Sequence, residues 1–148
     1  MDPMRILLIQ GHPDALAPHL CHALSQAYAE GAMAAGHVVR QVDVAAIDFA
    51  LLRSQHEWEL GLLPASLKPA QADIGWAQHI VLFFPLWLGD MPALLKGFLE
   101  QVARPGFAFS TEGVTRLAAR ASRAAARVWW SPWACPRWCT AGTFARTA

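Results

Sequence analysis

Two short, nearly continuous apolar runs constrain the fold of this chain most strongly. The run MRILLIQG, residues 4–11, closes on a glycine, and the run HIVLFFP, residues 79–85, closes on a proline. Uninterrupted apolar runs of this length are typical of strands that are covered on both faces, as in parallel sheets. The second run, continued to IVLFFPLWLG, has about half of the roughly 20 residues that a membrane-spanning helix needs. The two runs therefore predict a parallel sheet.

The segments between these strands alternate helix and strand. The sequence HVVRQVDV, residues 37–44, is rich in β-branched residues and predicts a second strand. AQADIGWAQ predicts a short helix, and MPALLKGFLEQVARPG, residues 91–106, predicts a longer one with a proline near its start and Pro-Gly as its stop. Residues 45–69 lack sustained periodicity and predict a long connection, of a kind that often forms a lid or a subunit contact.

A first helix is predicted between the first two strands, ending at Gly36. Its expected apolar side, at helical spacing, consists of Leu16, Leu20, Leu24, Ala27 and Gly31. The resulting order of strands and helices predicts an α/β fold, a flavodoxin-like doubly wound parallel sheet with helices on both faces.

Composition and charge divide the chain unequally. A length of 148 residues suits one domain, and the hydrophobic content of 55% allows a substantial core. The N-terminus lacks the pattern of a secretory signal and three cysteines make no disulfide framework, so we expect a cytoplasmic protein with a buried, reduced Cys21. All eleven acidic residues precede residue 113, whereas six arginines and no acid follow it. We expect a domain over residues 1–115 and a separate, aberrant tail over residues 116–148.

The loop after the first strand is the first candidate site. Ligands of doubly wound sheets bind beyond the carboxyl ends of the strands, and the loop GHPDALAPH lies at such an end. It carries neither the glycine-rich dinucleotide fingerprint nor a P-loop, but it leads into a helix N-terminus, which favours a phosphate. His12 and His19 flank that end and could donate to the anion. The alternative is that both are ordinary loop and cap residues.

The loop after the third strand is the second candidate. The sequence FPLWLGDMP places main-chain groups and the Trp87 ring at the sheet edge, where they suit a flat heterocycle. The alternative is that Trp87 only packs against the next helix.

Longer motifs that include both loops carry a resemblance to a known family. ILLIQGHPD, VDVAAIDF and above all FPLWLGDMPALLKGFLEQV with the following GFAF resemble the flavodoxin-like NAD(P)H:quinone oxidoreductases, over roughly residues 4–113. That family includes flavin-containing ancillary subunits of glutathione-regulated potassium efflux systems. The resemblance implies bound FMN or FAD, NAD(P)H as co-substrate, a quinone or similar small electrophile as acceptor, and a homodimer. It implies two-electron, ping-pong hydride transfer through the flavin.

The resemblance also implies cofactor-binding residues. By position, His12 begins the phosphate loop, and His19 is a substitute for the hydroxyl residues that Ala15 and Ala17 do not provide. The loop that touches the flavin ring consists of Pro85, Leu86, Trp87, Leu88 and Gly89. The family's catalytic residues lie beyond Thr115, so no catalytic residue is named.

The tail departs from the family. Read two bases later, the codons of Trp129 and Trp130 force a valine, and from Ala121 onward that frame permits R-V-V-V-T-M-G-M-P, which resembles the family's next strand and flavin loop. We therefore interpret residues 116–148 as a frameshifted segment that leaves the sheet incomplete at its C-terminus. Its Cys-x3-Cys pair lacks the further ligands of a zinc site, and its arginines and tryptophans do not require nucleic-acid binding.

Two alternative functions remain from the sequence. One is a regulatory, flavin-binding subunit of a potassium efflux antiporter, which would lie at the inner face of the membrane. The other is an inactive, truncated relative of the enzymes, because a sheet with an exposed edge and unpaired tryptophans favours aggregation.

Overall fold

The structure is a computed structural model that describes residues 2–108 and the backbone of residues 127–128. The strands are β1 (Arg5–Gln10), β2 (Val38–Asp43), β3 (His79–Phe83) and β4 (Arg127–Val128). The helices are α1 (Leu20–Ala34), α2 (Gln55–Leu60), α3 (Lys68–Trp76) and α4 (Ala93–Val102), with short 3₁₀ turns at Val44–Ala46 and Ala65–Leu67. The rest of the predicted tail, residues 116–126 and 129–148, lies outside the described residues.

The strands form one parallel sheet in the order β2-β1-β3-β4. Gln10 pairs with Asp43 on one side and with Phe83 on the other, so β1, β2 and β3 end at the same level. The order of the strands reverses between β1 and β3, which makes this the switch point of the sheet. The sequence pattern predicted β1, β2 and β3. It did not predict β4 in the reading frame of this chain.

Helix α1 covers one face of the sheet with small side chains. Cys21 and Ser25 are buried, and Ala29 and Ala32 pack near the apolar side chains of β1 and β3. The predicted apolar side was only partly right. Leu24 packs against these apolar side chains, but Leu16 lies in the preceding loop and is 99% exposed, and Leu20, Ala27 and Gly31 are also exposed. Burial raises the pKa of the Cys21 thiol, as expected for an unreactive side chain.

Helices α3 and α4 cover the opposite face and contribute the larger core. Leu7 and Ile9 of β1 pack there against Leu95, Phe98 and other residues of these helices. Phe98 is fully buried, and its ring meets that of Phe49 edge to face with centroids 6.3 Å apart. Helices therefore lie on both faces, as the doubly wound prediction requires. Within the described part of the chain, no helix has the length and apolarity to cross a bilayer.

The long connection over residues 45–69 is fastened to the domain through its backbone. The buried Arg104 donates to the Glu57 carbonyl at 2.9 Å and to the Gly61 carbonyl at 2.6 Å, which are carbonyls at the end of α2. Gln101 donates from Nε2 to the Ala50 carbonyl at 2.6 Å. A guanidinium satisfies such carbonyls well because its donors are fixed in a plane and its charge complements the helix dipole.

Replacing Arg104 with alanine should destabilise the fold by about 2 to 4 kcal/mol, because a buried side chain would be removed and partly buried carbonyls would lose a charged donor. Urea unfolding followed by circular dichroism measures the change. The exposed Arg53 supplies the matched control, and Arg53→Ala should change the unfolding free energy by less than about 0.5 kcal/mol. Equal effects of the two substitutions would contradict the role assigned to Arg104.

Candidate functional site

The first site loop begins at a glycine that the packing requires. The Gly11 N–H donates to the Phe83 carbonyl at 2.7 Å, which extends the pairing of β1 and β3 by one residue. A Cβ on Gly11 would lie 2.6 Å from Cδ2 of Leu95, a fully buried side chain of α4. The absence of a side chain therefore allows α4 to approach the end of β1.

His12 follows this glycine and is 7% exposed. Its backbone N–H donates to Oε1 of Gln10 at 3.2 Å, and its Nδ1 lies 3.1 Å from the Asp14 nitrogen and 3.2 Å from the Asp14 carbonyl oxygen. Gln10 is itself 1% exposed, and its Nε2 has no partner among the described residues. The buried carboxamide thus lies directly beneath the loop, with one donor unused.

Three imidazoles meet at the start of α1. The rings of His12 and His19 stack with centroids 3.8 Å apart and 17° between their planes, and the His22 ring lies 5.5 Å and 5.7 Å from them. His22 accepts through Nδ1 from the backbone N–H of His19 at 3.3 Å. Stacked rings direct their lone pairs away from a common point, and among the described residues no group of His, Cys, Asp or Glu is arranged to hold a metal ion.

Asp14 supplies the negative charge of the loop. Its Oδ2 lies 3.0 Å from Nε2 of His19, and its Oδ1 accepts from the Leu16 N–H at 2.8 Å. The hydrogen bond with His19 and then that with the Leu16 backbone hold the pKa of this carboxyl below its usual value. Pro18 and this turn keep residues 12–19 outside the helix, which is why α1 begins only at Leu20.

The pKa of His12 is lowered, chiefly because burial disfavours the charged ring and secondly because His19 and His22 repel a positive charge. The carbonyl and the charge of Asp14 raise the pKa of His12, but these effects are smaller than the lowering by burial and by the neighbouring histidines. His12 is therefore neutral near pH 7 and carries one ring N–H that can donate.

The second site loop is a tight turn with an exposed apolar tip. Trp87 and Asp90 exchange backbone hydrogen bonds of 2.9 Å and 3.1 Å, and the two residues between them, Leu88 and Gly89, have φ angles of 53° and 84°. Positive φ at both central positions defines a type I′ turn, and the left-handed conformation is strained for leucine. Trp87 is 48% exposed and Leu88 is fully exposed. Packing of the Leu88 side chain against the described residues therefore does not compensate for that strain.

The two loops meet at the switch point between β1 and β3. The rings of His12 and Trp87 lie 6.2 Å apart at 79°, an edge contact. Of the other predicted site residues, His19 lies in the same cluster at the start of α1, Pro85 is buried, Leu86 is half-buried and Gly89 is exposed on the turn. The structure thus places His12, His19 and Trp87 together, and their role in binding stays a prediction.

Sequence reasoning missed three members of this cluster, Gln10, Asp14 and His22. A glutamine at the end of a buried apolar strand and a histidine three residues after another on a helix were the available signals. The position of Asp14 depends on the turn of the loop, which has no comparable sequence pattern.

A family model described as having a flavodoxin-like fold matches residues 4–126. The chain belongs to this flavodoxin-like family. The expected fold is therefore confirmed. The observed strand order is that of flavodoxin-like sheets, in which the switch point lies between the first and third strands.

Individual relatives agree with the family assignment. An NAD(P)H:quinone oxidoreductase from Methanothermobacter marburgensis has a similar structure with 28% identity and a TM-score of 0.59, covering 70% of this chain and 55% of that one. An uncharacterized NAD(P)H oxidoreductase from Haemophilus influenzae is 40% identical over 52 residues, 35% of this chain and 26% of the relative. A ribosyldihydronicotinamide dehydrogenase-like protein from Penicillium crustosum is 46% identical over 37 residues, 25% of this chain and 14% of the relative. The matches thus span about a quarter or less of these two curated relatives.

Substituting Gly11 by alanine should destabilise this flavodoxin-like domain by about 1 to 3 kcal/mol, because Leu95 is enclosed and cannot move aside freely. Thermal unfolding is the measurement. Gly31 on α1 provides a matched control, since a Cβ there meets nothing within 4 Å, and Gly31→Ala should stabilise the helix by about 0.5 to 1 kcal/mol. A neutral Gly11→Ala variant would contradict the close approach of α4.

The lowered pKa of His12 predicts a pH dependence of stability. The unfolded chain binds a proton at this residue near the ordinary pKa of 6.5, whereas the folded chain binds it only at lower pH, so stability should fall as pH drops below about 6.5. The contribution of Asp14 lies at lower pH, below its ordinary value of 3.8. Urea unfolding between about pH 7 and about pH 5 should show a smaller loss for His12→Gln than for the parent chain. Parallel pH profiles of the two proteins would show that His12 contributes nothing.

Proposed function

We propose that the chain is the flavin-binding part of an NAD(P)H:quinone oxidoreductase. The observation that supports this most directly is the exposed apolar turn at Trp87 and Leu88, which lies beside the histidine cluster at the switch point of the sheet. A planar ring with a phosphate-bearing chain needs an apolar surface and an anion site next to each other. The two loops have these properties in adjacent positions.

The first loop fits the phosphate end of a flavin. His12 and His19 provide ring N–H groups, and the first turn of α1, which carries no acidic residue, presents free backbone N–H groups and the positive end of the helix dipole. The unused Nε2 of Gln10 is a further donor at the base of the loop. These donors support the assignment of His12 and His19 to the phosphate, in place of the hydroxyls that Ala15 and Ala17 do not offer.

The second loop fits the ring end. The residues that would line the flavin ring are Pro85, Leu86, Trp87, Leu88 and Gly89. Pro85 is buried and anchors the turn, while the half-exposed Trp87 and the exposed Leu88 offer an apolar surface that a flat ring would cover. Covering such surface is favourable by about 25 cal/mol per Å² of apolar area. The strained conformation of Leu88 is consistent with a turn shaped for contact with a ligand.

A bound flavin would supply two-electron chemistry, with hydride arriving from NAD(P)H and two electrons leaving to a quinone or a similar electrophile. The described residues of this chain would bind and orient the group: ring N–H groups of the imidazoles would donate to the phosphate, and Trp87 and Leu88 would exclude water from one side of the ring. NAD(P)H and quinone are proposed from the name of the Methanothermobacter relative, and both FMN and FAD remain candidates.

We include in this proposal a homodimer and a cytoplasmic location. Three leucines of the long connection, Leu51, Leu60 and Leu62, are 52%, 72% and 93% exposed, and exposed apolar side chains of this kind support a contact with a second copy. A role as ancillary subunit of an antiporter at the inner membrane face has no supporting contact among the described residues. The mass of the purified protein in solution tests the dimer.

The frameshift remains part of the proposal. The backbone of residues 127–128 pairs in parallel with β3, and the shifted reading frame also has its strand there, in the string R-V-V-V. This agreement supports the interpretation that residues 116–148 replace, in the sequence, a segment that would encode a fourth strand and a flavin loop. Resequencing the gene across the codons for residues 116–121 tests it.

Removing the aromatic surface should weaken flavin binding. Trp87→Ala is expected to lower the affinity for FMN or FAD about 10-fold or more, because stacking and apolar contact with one indole contribute roughly 1 to 3 kcal/mol. Flavin fluorescence during titration with the protein measures the affinity. Trp58→Ala, on α2 and outside both loops, is the control and should leave the affinity unchanged.

Leu88→Gly separates binding from stability in the same assay. Glycine relieves the left-handed strain, so the variant should be as stable as the parent chain or up to about 1 kcal/mol more stable, yet bind flavin less tightly. A parent chain that folds cooperatively but takes up neither FMN nor FAD would refute the proposed function.

A further inference from the structure

The first loop already holds an anion of its own, the Asp14 carboxylate. Its Oδ1 accepts a hydrogen bond from the Leu16 N–H at 2.8 Å, and its Oδ2 lies 3.0 Å from Nε2 of His19. The Ala17 backbone makes a smaller contribution to the lowered pKa of this carboxyl. His19 is one of the groups proposed to bind a phosphate at the start of α1. An external phosphate therefore competes with an internal carboxylate for His19.

One buried donor of this loop is left unused by Asp14. The Gln10 carboxamide is oriented by the His12 N–H, which requires Oε1 as its acceptor and so assigns Nε2 as the other atom. That Nε2 is buried without an acceptor among the described residues, a costly state for an N–H group. A carboxylate has two oxygens, whereas a phosphate monoester has three terminal oxygens. The loop thus has more donors than its own anion can satisfy.

His12 can respond to the charge of that anion. Its Nδ1 lies within hydrogen-bond distance of both the N–H and the carbonyl oxygen of Asp14, so it can accept from the former when neutral and donate to the latter when protonated. The charged or titratable groups that act on it are His19 and His22 of α1 and Asp14 of its own loop. From the second loop it meets the uncharged Trp87, and from β1 the uncharged Gln10.

We propose that a phosphate monoester dianion binds this loop by displacing Asp14 from His19, with uptake of one proton by His12. The inference rests on the proposed function, in which the phosphate belongs to the flavin. The exchange keeps the charge at the donors constant, since a carboxylate of charge −1 leaves while a dianion and one proton enter. Asp14 and His19 are both partly exposed, with side chains 46% and 33% accessible, so the carboxylate can turn into solvent.

The decisive variant is Asp14→Asn, which keeps an oxygen for the Leu16 N–H but removes the competing charge. At about pH 7 it should bind both inorganic phosphate and FMN roughly 3- to 10-fold more tightly than the parent chain, with riboflavin, which has no phosphate, unchanged. Glu30→Gln removes one negative charge from α1, roughly 15 Å along the helix axis from its first residue, and should change none of these affinities. Asp14→Ser provides a second neutral variant that retains an oxygen acceptor.

Proton uptake is measured independently of affinity. Calorimetric titration of the parent chain with FMN, in two buffers of different ionisation enthalpy, should show an uptake close to one proton per phosphate near pH 7. The imidazole NMR signals of His12 should move toward the protonated position when inorganic phosphate is added at millimolar concentration. His12→Gln should abolish the uptake.

Two results would overturn the inference: an unchanged or weaker affinity of Asp14→Asn for phosphate and FMN, or binding without proton uptake. Inorganic phosphate has no ring, so its titration decides the inference even if the chain binds no flavin. Conversely, binding of FMN and riboflavin with affinities that Asp14→Asn leaves unchanged would support the proposed function and contradict the displacement of Asp14.

Discussion

The parallel pairing of β1 with β3 is the interaction on which the rest of the molecule depends. Each strand is an apolar segment covered on both faces, and their pairing ends at the same level, with the Gly11 N–H adding one further bond to Phe83. Because the strand order reverses here, the loop after β1 leads to α1 on one face of the sheet and the loop after β3 leads to α4 on the other. The histidine cluster and the tryptophan turn owe their proximity to this pairing.

The features that the sequence predicted are those encoded by local pattern. The three main strands and the helix α4 are marked by apolar runs, a helical period and proline or glycine stops, and these signals depend on neighbours in the chain. The apolar side of α1 was only partly predicted, because bulky leucines are the usual sign of a buried face. In the structure the buried positions of α1 are Cys21 and Ser25, Leu24 is only partly buried, and Leu16 belongs to the loop.

The chemistry of the candidate site was only partly predictable for a related reason. His12, His19 and Trp87 were recognisable because they follow strand ends or begin a helix. Asp14 and Gln10 take part through a turn and through a buried hydrogen bond, and both depend on tertiary packing rather than on spacing. Stacking of His12 on His19 likewise required the loop to fold back on itself.

The way in which Arg104 holds the long connection has a consequence for divergence among relatives. Its contacts are with the main-chain oxygens of Glu57 and Gly61, and Gln101 likewise contacts the main-chain oxygen of Ala50. Every residue type carries such an oxygen, so the attachment does not depend on most of the side chains along this segment. Gly61 is the exception, because a Cβ there would clash with the Glu57 carbonyl oxygen and crowd Nη1 of Arg104. The outward-facing side chains can therefore drift, and acquire new contacts with other molecules, while the path of the backbone is inherited unchanged.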